Sequence, residues 1–484
     1  MDALPVTSVP RAVSATSSIT KNGEEFAQFD LNFGRWVITK PKLTSSHNAK
    51  IKEFQRDLVI GSENNASAIT GNAAKRLSST DASVLSSNSV ESRLNVNHQS
   101  SAYLEQRPST VYVDSPARFE MNTDDPSYRL PDRVYQATPT IAKTGSDRYW
   151  MAWRADNKNA KEGPGNFAVL AYSNDGLTST KEYGYLTYSP EHSENQIIDP
   201  MLWTDPSGRL WLFYGVIGNN KVYDGIGGSW AVICDDPNAK HPVWGKPFRL
   251  SYYGVPRRPV KVNEKWYMAV DGWRYSAEEP PKYAAHVGPH IYELNWRDRK
   301  IKHLVQLPPN NGNGGQYSGF FETEFVQKSD GNVLALLRSY GGSSQMQYSS
   351  SNDLMQTWTP WQTYKVAEPN SSSRSWLGRT PSGRLLLCWN NDLVRKSLTI
   401  GLSDDNGITY KNKIIVEPNP NLQVSYPVIT FGDNGKIFVI YDNGRETHKQ
   451  IRISEVNEQE VISGTGSPRI KIISDPSQAR KSVR

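Results

Sequence analysis

Only two cysteines, Cys234 and Cys388, occur in the 484 residues. Both lie in apolar, strand-like runs, so they read as buried thiols; a disulfide scaffold and a cysteine-ligated zinc site are excluded. No apolar stretch reaches the ~18 residues that a membrane-crossing helix needs. Nor is there a block of like charge. Fifty-five basic and 49 acidic residues leave a net charge of +6, spread along the chain. That balance argues against a nucleic-acid partner and suits an anionic substrate. The first twenty residues lack the basic-then-apolar order of a secretory leader. Either the protein is not Sec-exported, or this is a mature or recloned form, or it leaves its host by another route, such as on a particle; an extracellular or particle-associated location is expected. No Ser-His-Asp signature is present. Gly312-Asn313-Gly314-Gly315 has no helix after it and cannot cradle phosphate. His286 and His290 sit four apart in Gly-Pro chemistry and read as loop or pocket-rim histidines, although a histidine base stays open for a lyase. No metal and no cofactor is expected.

Aromatic residues are plentiful: 14 Trp and 24 Tyr are enough for a large β core. They recur in one pattern, a tight turn followed by large apolar residues. The six copies begin at Ser146, Ser207, Asn263, Asp330, Ser382 and Asn434; Ser207-Gly208-Arg209-Leu210-Trp211-Leu212-Phe213-Tyr214 is typical. Their spacing, roughly 50 to 65 residues, is that of propellers and arrays. A turn before a buried strand is the second half of a hairpin. The pattern predicts an all-β, six-bladed β-propeller over residues 109–464, with each turn joining the first and second strands of a blade. Residues 1–108 are expected as an arm or attachment module ending in a Ser/Asn-rich linker, able to attach to a larger assembly. Arg35-Trp36-Val37-Ile38 is its clearest strand. Residues 465–484 read as a tail.

A second element follows several of these strands. Ser403-Asp404-Asp405-Asn406-Gly407-Ile408-Thr409-Tyr410 is its fullest copy; Ser351 to Trp358 and Ser173 to Thr178 are looser ones. The Asp accepts backbone N–H bonds, the Gly takes positive φ and the aromatic packs between blades. This resembles the Asp-box of the sialidase (neuraminidase) superfamily. Asp199-Pro200-Met201-Leu202-Trp203-Thr204-Asp205-Pro206-Ser207-Gly208-Arg209-Leu210-Trp211 is similar to a run in the BNR-repeat, sialidase-like proteins. The resemblance spans roughly Arg133 to Val461 and leaves the N-terminal arm unmatched. It implies a sialidase-like propeller acting on an oligosaccharide or polysaccharide. Fold alone does not fix the reaction; the expected function is a glycoside hydrolase cleaving a glycan with an acidic sugar, with a polysaccharide lyase acting on a uronate and a non-catalytic glycan-binding propeller as alternatives.

In a propeller the innermost strands converge on one axis. Counting back about nine residues from each turn reaches Thr138, Asp199, Glu322, Arg374 and Tyr426, with Arg257 or Arg258 in the shorter third hairpin. One convergent polar cluster is expected there. By the resemblance, Tyr426 would be the nucleophile and Glu322 the base that takes its proton, with Glu324 as fallback. Asp156 would be the acid for the leaving oxygen, with Asp199 and then Glu162 as competitors. Arg338 and Arg395 stand where two carboxylate-binding arginines of the family stand. Blade one departs from the pattern: it has Gln136-Ala137-Thr138-Pro139 where the family places its first arginine. Sialic acid is thus put in doubt, a uronate or another sugar stays open, and Arg258 and Arg374 are candidates for a different clamp.

Overall fold

The computed structural model describes residues 113, 115–218, 227–272, 288–308, 322–338 and 345–482, together with four short strands nearer the N-terminus. The chain divides into two compact units, Met1–Glu91 and Ser92–Arg484. In the first, Thr16–Lys21, Glu24–Asp30 and Arg35–Ile38 form a three-stranded antiparallel sheet. The division falls nearer the N-terminus than composition suggested. Leu94–Asn95 already belongs to the second unit, where it pairs with Thr357–Trp358.

The second unit is a ring of six antiparallel sheets, a β-propeller. Each blade runs from the axis outward in chain order. Blade one is Tyr135–Lys143, Tyr149–Asp156, Phe167–Ser173 and Lys181–Thr187, with Arg118–Glu120 added outside. Blade two starts at Gln196–Thr204, blade four at Glu324–Gln327, blade five at Trp376–Arg379 and blade six at Val424–Phe431. The inner strand of blade three is broken into Val255–Pro256 and Val260–Val262. All six repeated turns join first and second strands, as the sequence pattern predicts. Arg469–Ser474, read from the sequence as part of a tail, is instead the outer strand of blade six, paired with Gln450–Asn457. Ile470 is half-buried and Ile472 exposed, while Ile473, at a register shift in this edge strand, packs against the core.

Second strands are buried on both faces because neighbouring blades pack on each side. This is why Leu210–Ile217 is a continuous apolar run, buried throughout, while the outer Lys411–Ile415 is largely exposed. The core is accordingly divided among the gaps between blades. One cluster joins blades three and four through Ala269, Ile291, Phe325 and Trp358. Another joins blades four and five through Leu336, Tyr364, Leu387 and Tyr410. Cys234 and Cys388 are free buried thiols.

The Asp-boxes hold the connections between third and fourth strands. Asp405 accepts from Ser403 Oγ at 2.7 Å, Thr409 N at 2.8 Å and Thr409 Oγ1 at 2.6 Å, and Gly407 takes φ +87°. Asp353 and Asp175 repeat the arrangement with Ser351 and Ser173. Their carboxylates are spent on these turns, as expected of a structural motif.

Candidate active site

Three inner strands break register at the same place. Pairing slips between Ala137 and Thr140, between Ile198 and Met201, and between Ser425 and Val428. The residue lifted out in each case is left-handed and precedes proline: Thr138 at φ +48°, Asp199 at +42° and Tyr426 at +57°. Such a bulge re-aims a side chain that a regular strand would send between blades. A non-glycine residue in this region costs about 1–2 kcal/mol. The strain is repeated in three blades and marks the axial end of the ring.

Tyr426 is the hub. Its ring is buried and four guanidinium groups surround it, with centroid distances of 3.9 Å for Arg445, 5.0 Å for Arg374, 5.2 Å for Arg395 and 6.0 Å for Arg338. Arg338 Nη1 donates to Tyr426 Oη at 2.7 Å and to Glu322 Oε2 at 2.8 Å. Tyrosine and glutamate thus meet on one nitrogen and share no direct bond. Burial raises the Tyr426 phenol above its ordinary range, and Arg338 is the main opposing influence. The hydroxyl is therefore neutral at neutral pH. Arg395 Nη2 donates to Ser372 O at 3.3 Å, which anchors that arginine on the fifth blade's approach.

Asp199 lies on the other side of the cluster. It receives Arg257 Nη1 at 2.7 Å, and Arg374 Nη1 stands 3.7 Å away. Burial favours the protonated acid, but Arg257 and then Arg374 overcome it and hold the carboxyl below its usual range. Arg257 also donates to Asp271 Oδ2 at 2.8 Å, and Asp271 accepts from Thr323 N and Thr323 Oγ1 at 3.0 and 2.7 Å. Arg374 is different. It is 1% exposed, and Nε, Nη1 and Nη2 have no hydrogen-bond partner among the described residues. A buried guanidinium fork with no hydrogen-bond acceptor, and only Asp199 at 3.7 Å as an ion-pair partner, has the chemistry to take a carboxylate.

The structure departs from the sequence reading at several residues. Asp156, the last residue of the strand Tyr149–Asp156, is buried and holds the loop after it, accepting from Lys158 N at 2.6 Å, Asn159 N at 2.8 Å and Asn166 Nδ2 at 2.7 Å. Both its oxygens are occupied, and it joins no part of the cluster. Glu162, further along the loop that follows, does join it: its Oε1 accepts from Arg445 Nη1 at 3.1 Å and from Tyr135 Oη at 3.2 Å. Arg258 points away from Tyr426. Its guanidinium lies 4.6 Å from the Trp376 ring and 3.4 Å from Glu324 Oε2. Adjacent residues of an extended chain face opposite ways, so Arg257 reaches the axis and Arg258 cannot. Glu324 goes with Arg258 and leaves Glu322 at the cluster. His286 and Gly312-Asn313-Gly314-Gly315 lie outside the described residues. No group of metal-ligating side chains is found among the described residues.

Three participants escaped the sequence reading. Arg445 stacks on Tyr426 and is oriented by Asp442 Oδ2 at 3.0 Å. Asp442 also accepts from Thr138 N at 3.0 Å and Ser425 Oγ at 2.6 Å, tying blade six to blade one. Asp271 does the same between blades three and four. The available signal was an acid closing an apolar second-strand run, Met268-Ala269-Val270-Asp271 and Val439-Ile440-Tyr441-Asp442.

Residues 184–439, more than half of the chain, match the BNR repeat-like domain. The chain belongs to the BNR repeat-like family. No curated protein sequence matches it. Among solved structures, this BNR repeat-like protein is similar to the Hadza microbial sialidase Hz136, at 13% identity and a TM-score of 0.53, over 68% of this chain and 66% of that one. It is also similar to Trypanosoma rangeli sialidase in complex with 2,3-difluorosialic acid, at 12% identity and a TM-score of 0.50, over 74% of this chain and 61% of that one. At these identities the likeness is one of fold: a sialidase-like propeller. Within it, the BNR repeat-like protein brings the buried Tyr426, Glu322, Asp199 and Arg374 together at one end of the ring. No helix among the described residues is long and apolar enough to cross a membrane.

Proposed function

We propose that the protein is a glycoside hydrolase that cleaves a glycan containing an acidic sugar at the Tyr426 cluster. The observation that carries this reading is the buried Arg374 fork, without acceptors, beside a tyrosine ringed by three further arginines. Arg374 with Arg338 or Arg395 would take the sugar carboxylate by charge-assisted bonds. As Arg338 turns to the carboxylate, it releases both Tyr426 Oη and Glu322. Glu322 then accepts the phenolic proton while Tyr426 Oη bonds to the anomeric carbon and the glycosidic C–O bond breaks. A nucleophile that is neutral until this step avoids repulsion by the substrate's carboxylate. Of the three carboxyls considered as leaving-group acid, Asp156 is spent on its loop and Asp199 is held ionised by Arg257 and Arg374. Glu162, whose side chain is 29% exposed, is the one assigned; because it pairs with Arg445, it must take up a proton as the substrate binds. Water then hydrolyses the glycosyl-tyrosine.

A lyase is the second reading, favoured by the direct Arg338–Tyr426 bond. There the tyrosine would remove the C5 proton of a uronate whose carboxylate the arginines neutralise. The test is a panel of acidic glycans digested by the wild type and by Tyr426→Phe, with products identified by mass and by the ultraviolet absorbance of an unsaturated uronate. Hydrolysis products from the wild type and none from Tyr426→Phe support the hydrolase. An unsaturated product identifies the lyase. Full activity in Tyr426→Phe, or glycan binding with no product, overturns the assignment.

A further inference from the structure

At the far end of the inner strands, away from Tyr426, blades two to five leave a cavity of about 540 Å³ beside their repeated turns. Its charged lining residues are Arg258, Lys261, Lys328 and Arg379, with no carboxylate among them. Two tryptophans complete it. Trp203 and Trp266 belong to adjacent blades and meet edge to face, with centroids 4.8 Å apart. The wall between blades three and four is fixed by a reciprocal amide pair: Asn263 N donates to Gln327 Oε1 and Gln327 Nε2 to Asn263 Oδ1, both at 2.8 Å. The acids nearest these cations stand outside the lining. Lys261 reaches Glu264, whose side chain is 91% exposed, and Lys328 reaches Asp330. Arg379 gives one bond from Nη1 to the Gly383 carbonyl and one from Nη2 to the Gln327 carbonyl, two of its five N–H donors, and no carboxylate pairs with it among the described residues. Burial lowers the pKa of Arg379, with Asp330 opposing, as for a cation without a close counter-ion. Arg258, which the axial cluster leaves out, also lines the cavity and pairs with Glu324 at 3.4 Å.

A preformed cavity of this size, with cations on its rim and an indole pair in its wall, has the make-up of a ligand site. The cations suit carboxylates. The indoles suit a flat C–H face, which a pyranose ring presents. We propose that this cavity is a second, non-catalytic site that binds a short acidic oligosaccharide, with Lys261, Lys328 and Arg379 pairing its carboxylates and the Trp203–Trp266 pair packing on a sugar ring. It stands on this lining alone and not on the reaction proposed at the axis. A site at the opposite end of the ring would hold a polymer while the axial pocket works elsewhere along it.

The test is calorimetric titration of the full chain carrying Arg374→Ala, which disables the axial clamp. The probes are hexagalacturonate and α2,8-linked trisialic acid, with methyl-esterified hexagalacturonate as the uncharged control. One saturable event is expected with at least one acidic probe and none with the ester. Lys261→Ala and Arg379→Ala should each weaken that event by about tenfold, the worth of one charge-assisted bond. Where Arg379→Ala fails to fold, Lys261→Glu on an exposed side chain carries the same test. The proposal is overturned if neither acidic probe binds, if binding ignores the Lys261 changes, or if a single-stranded oligonucleotide binds more tightly than either sugar. Loss of turnover in Tyr426→Phe has no bearing on this result.

Discussion

Replacing Arg374 by methionine should move stability and function in opposite directions. The guanidinium is 1% exposed, its three nitrogens find no acceptor among the described residues, and Asp199 is 3.7 Å away. Each unmet buried polar group costs about 1–3 kcal/mol. The ring of Tyr426 at 5.0 Å returns about 0.5–2 kcal/mol of that as a cation–π contact. Methionine has a similar length, no donor and adaptable packing. Asp199 would keep its better partner, Arg257, at 2.7 Å. A net gain of about 1 kcal/mol is expected, or roughly 1–3 °C in a chain of this size. Binding of an acidic glycan should lose one charge-assisted bond, about 1.5–3 kcal/mol, which is on the order of ten- to a hundredfold in KM. Differential scanning calorimetry gives the first quantity and initial-rate kinetics the second. A lower melting temperature together with an unchanged KM would refute the reasoning and make Arg374 a structural residue. This is the behaviour of a site whose strain is retained for its ligand.

Glu162→Gln should lower kcat by about 10²–10⁴ on glycosides with basic leaving groups and spare activated aryl glycosides, which need no proton; equal losses on both would remove Glu162 as the acid. Asp156→Ala should cost about 1–3 kcal/mol of stability, since three donors lose their acceptor. It should lower kcat less than Glu162→Gln does; a larger kinetic loss would restore Asp156 as the acid. The Asp-boxes predict an acid limit. The hydroxyl of Ser179 is the first cause that brings Asp175 from an ordinary 3.8 down to about 2; in Asp405, burial acts upward but the Thr409 bonds prevail, also to about 2. A depressed carboxyl adds stability that is complete above its unfolded pKa and is lost as pH falls through the folded one. Melting temperature should therefore fall between about pH 4 and pH 2, and Asp175→Asn should flatten that fall; an unchanged slope would contradict the assignment of these bonds.

The ring was legible in the sequence because its signals are local. A glycine, asparagine or aspartate turn and the buried strand after it lie within one short segment, as in Ser207–Tyr214, and repeat at a regular interval. The inward residues Asp199 and Tyr426 were legible for a related reason: each sits at the same offset from its turn, directly before proline. What the sequence hid depends on parity and on distances across blades. Arg257 and Arg258 differ only in which way the broken strand of blade three turns them. Asp156 looks like a loop acid until its three donors are seen. Arg445 follows a second strand rather than leading a first, so counting back from turns never reaches it. Thr138 shows why the geometry persists where the chemistry is missing. It carries the same left-handed strain as Asp199 and Tyr426, yet brings only a hydroxyl to the axis. Its amide donates to Asp442, and Asp442 orients the arginine stacked on Tyr426. The bulge of blade one thus serves the site through its backbone. That role asks nothing of the side chain beside Ala137, where the arginine was expected, and in the proposed function anion recognition falls instead to Arg374 of blade five with Arg338 or Arg395.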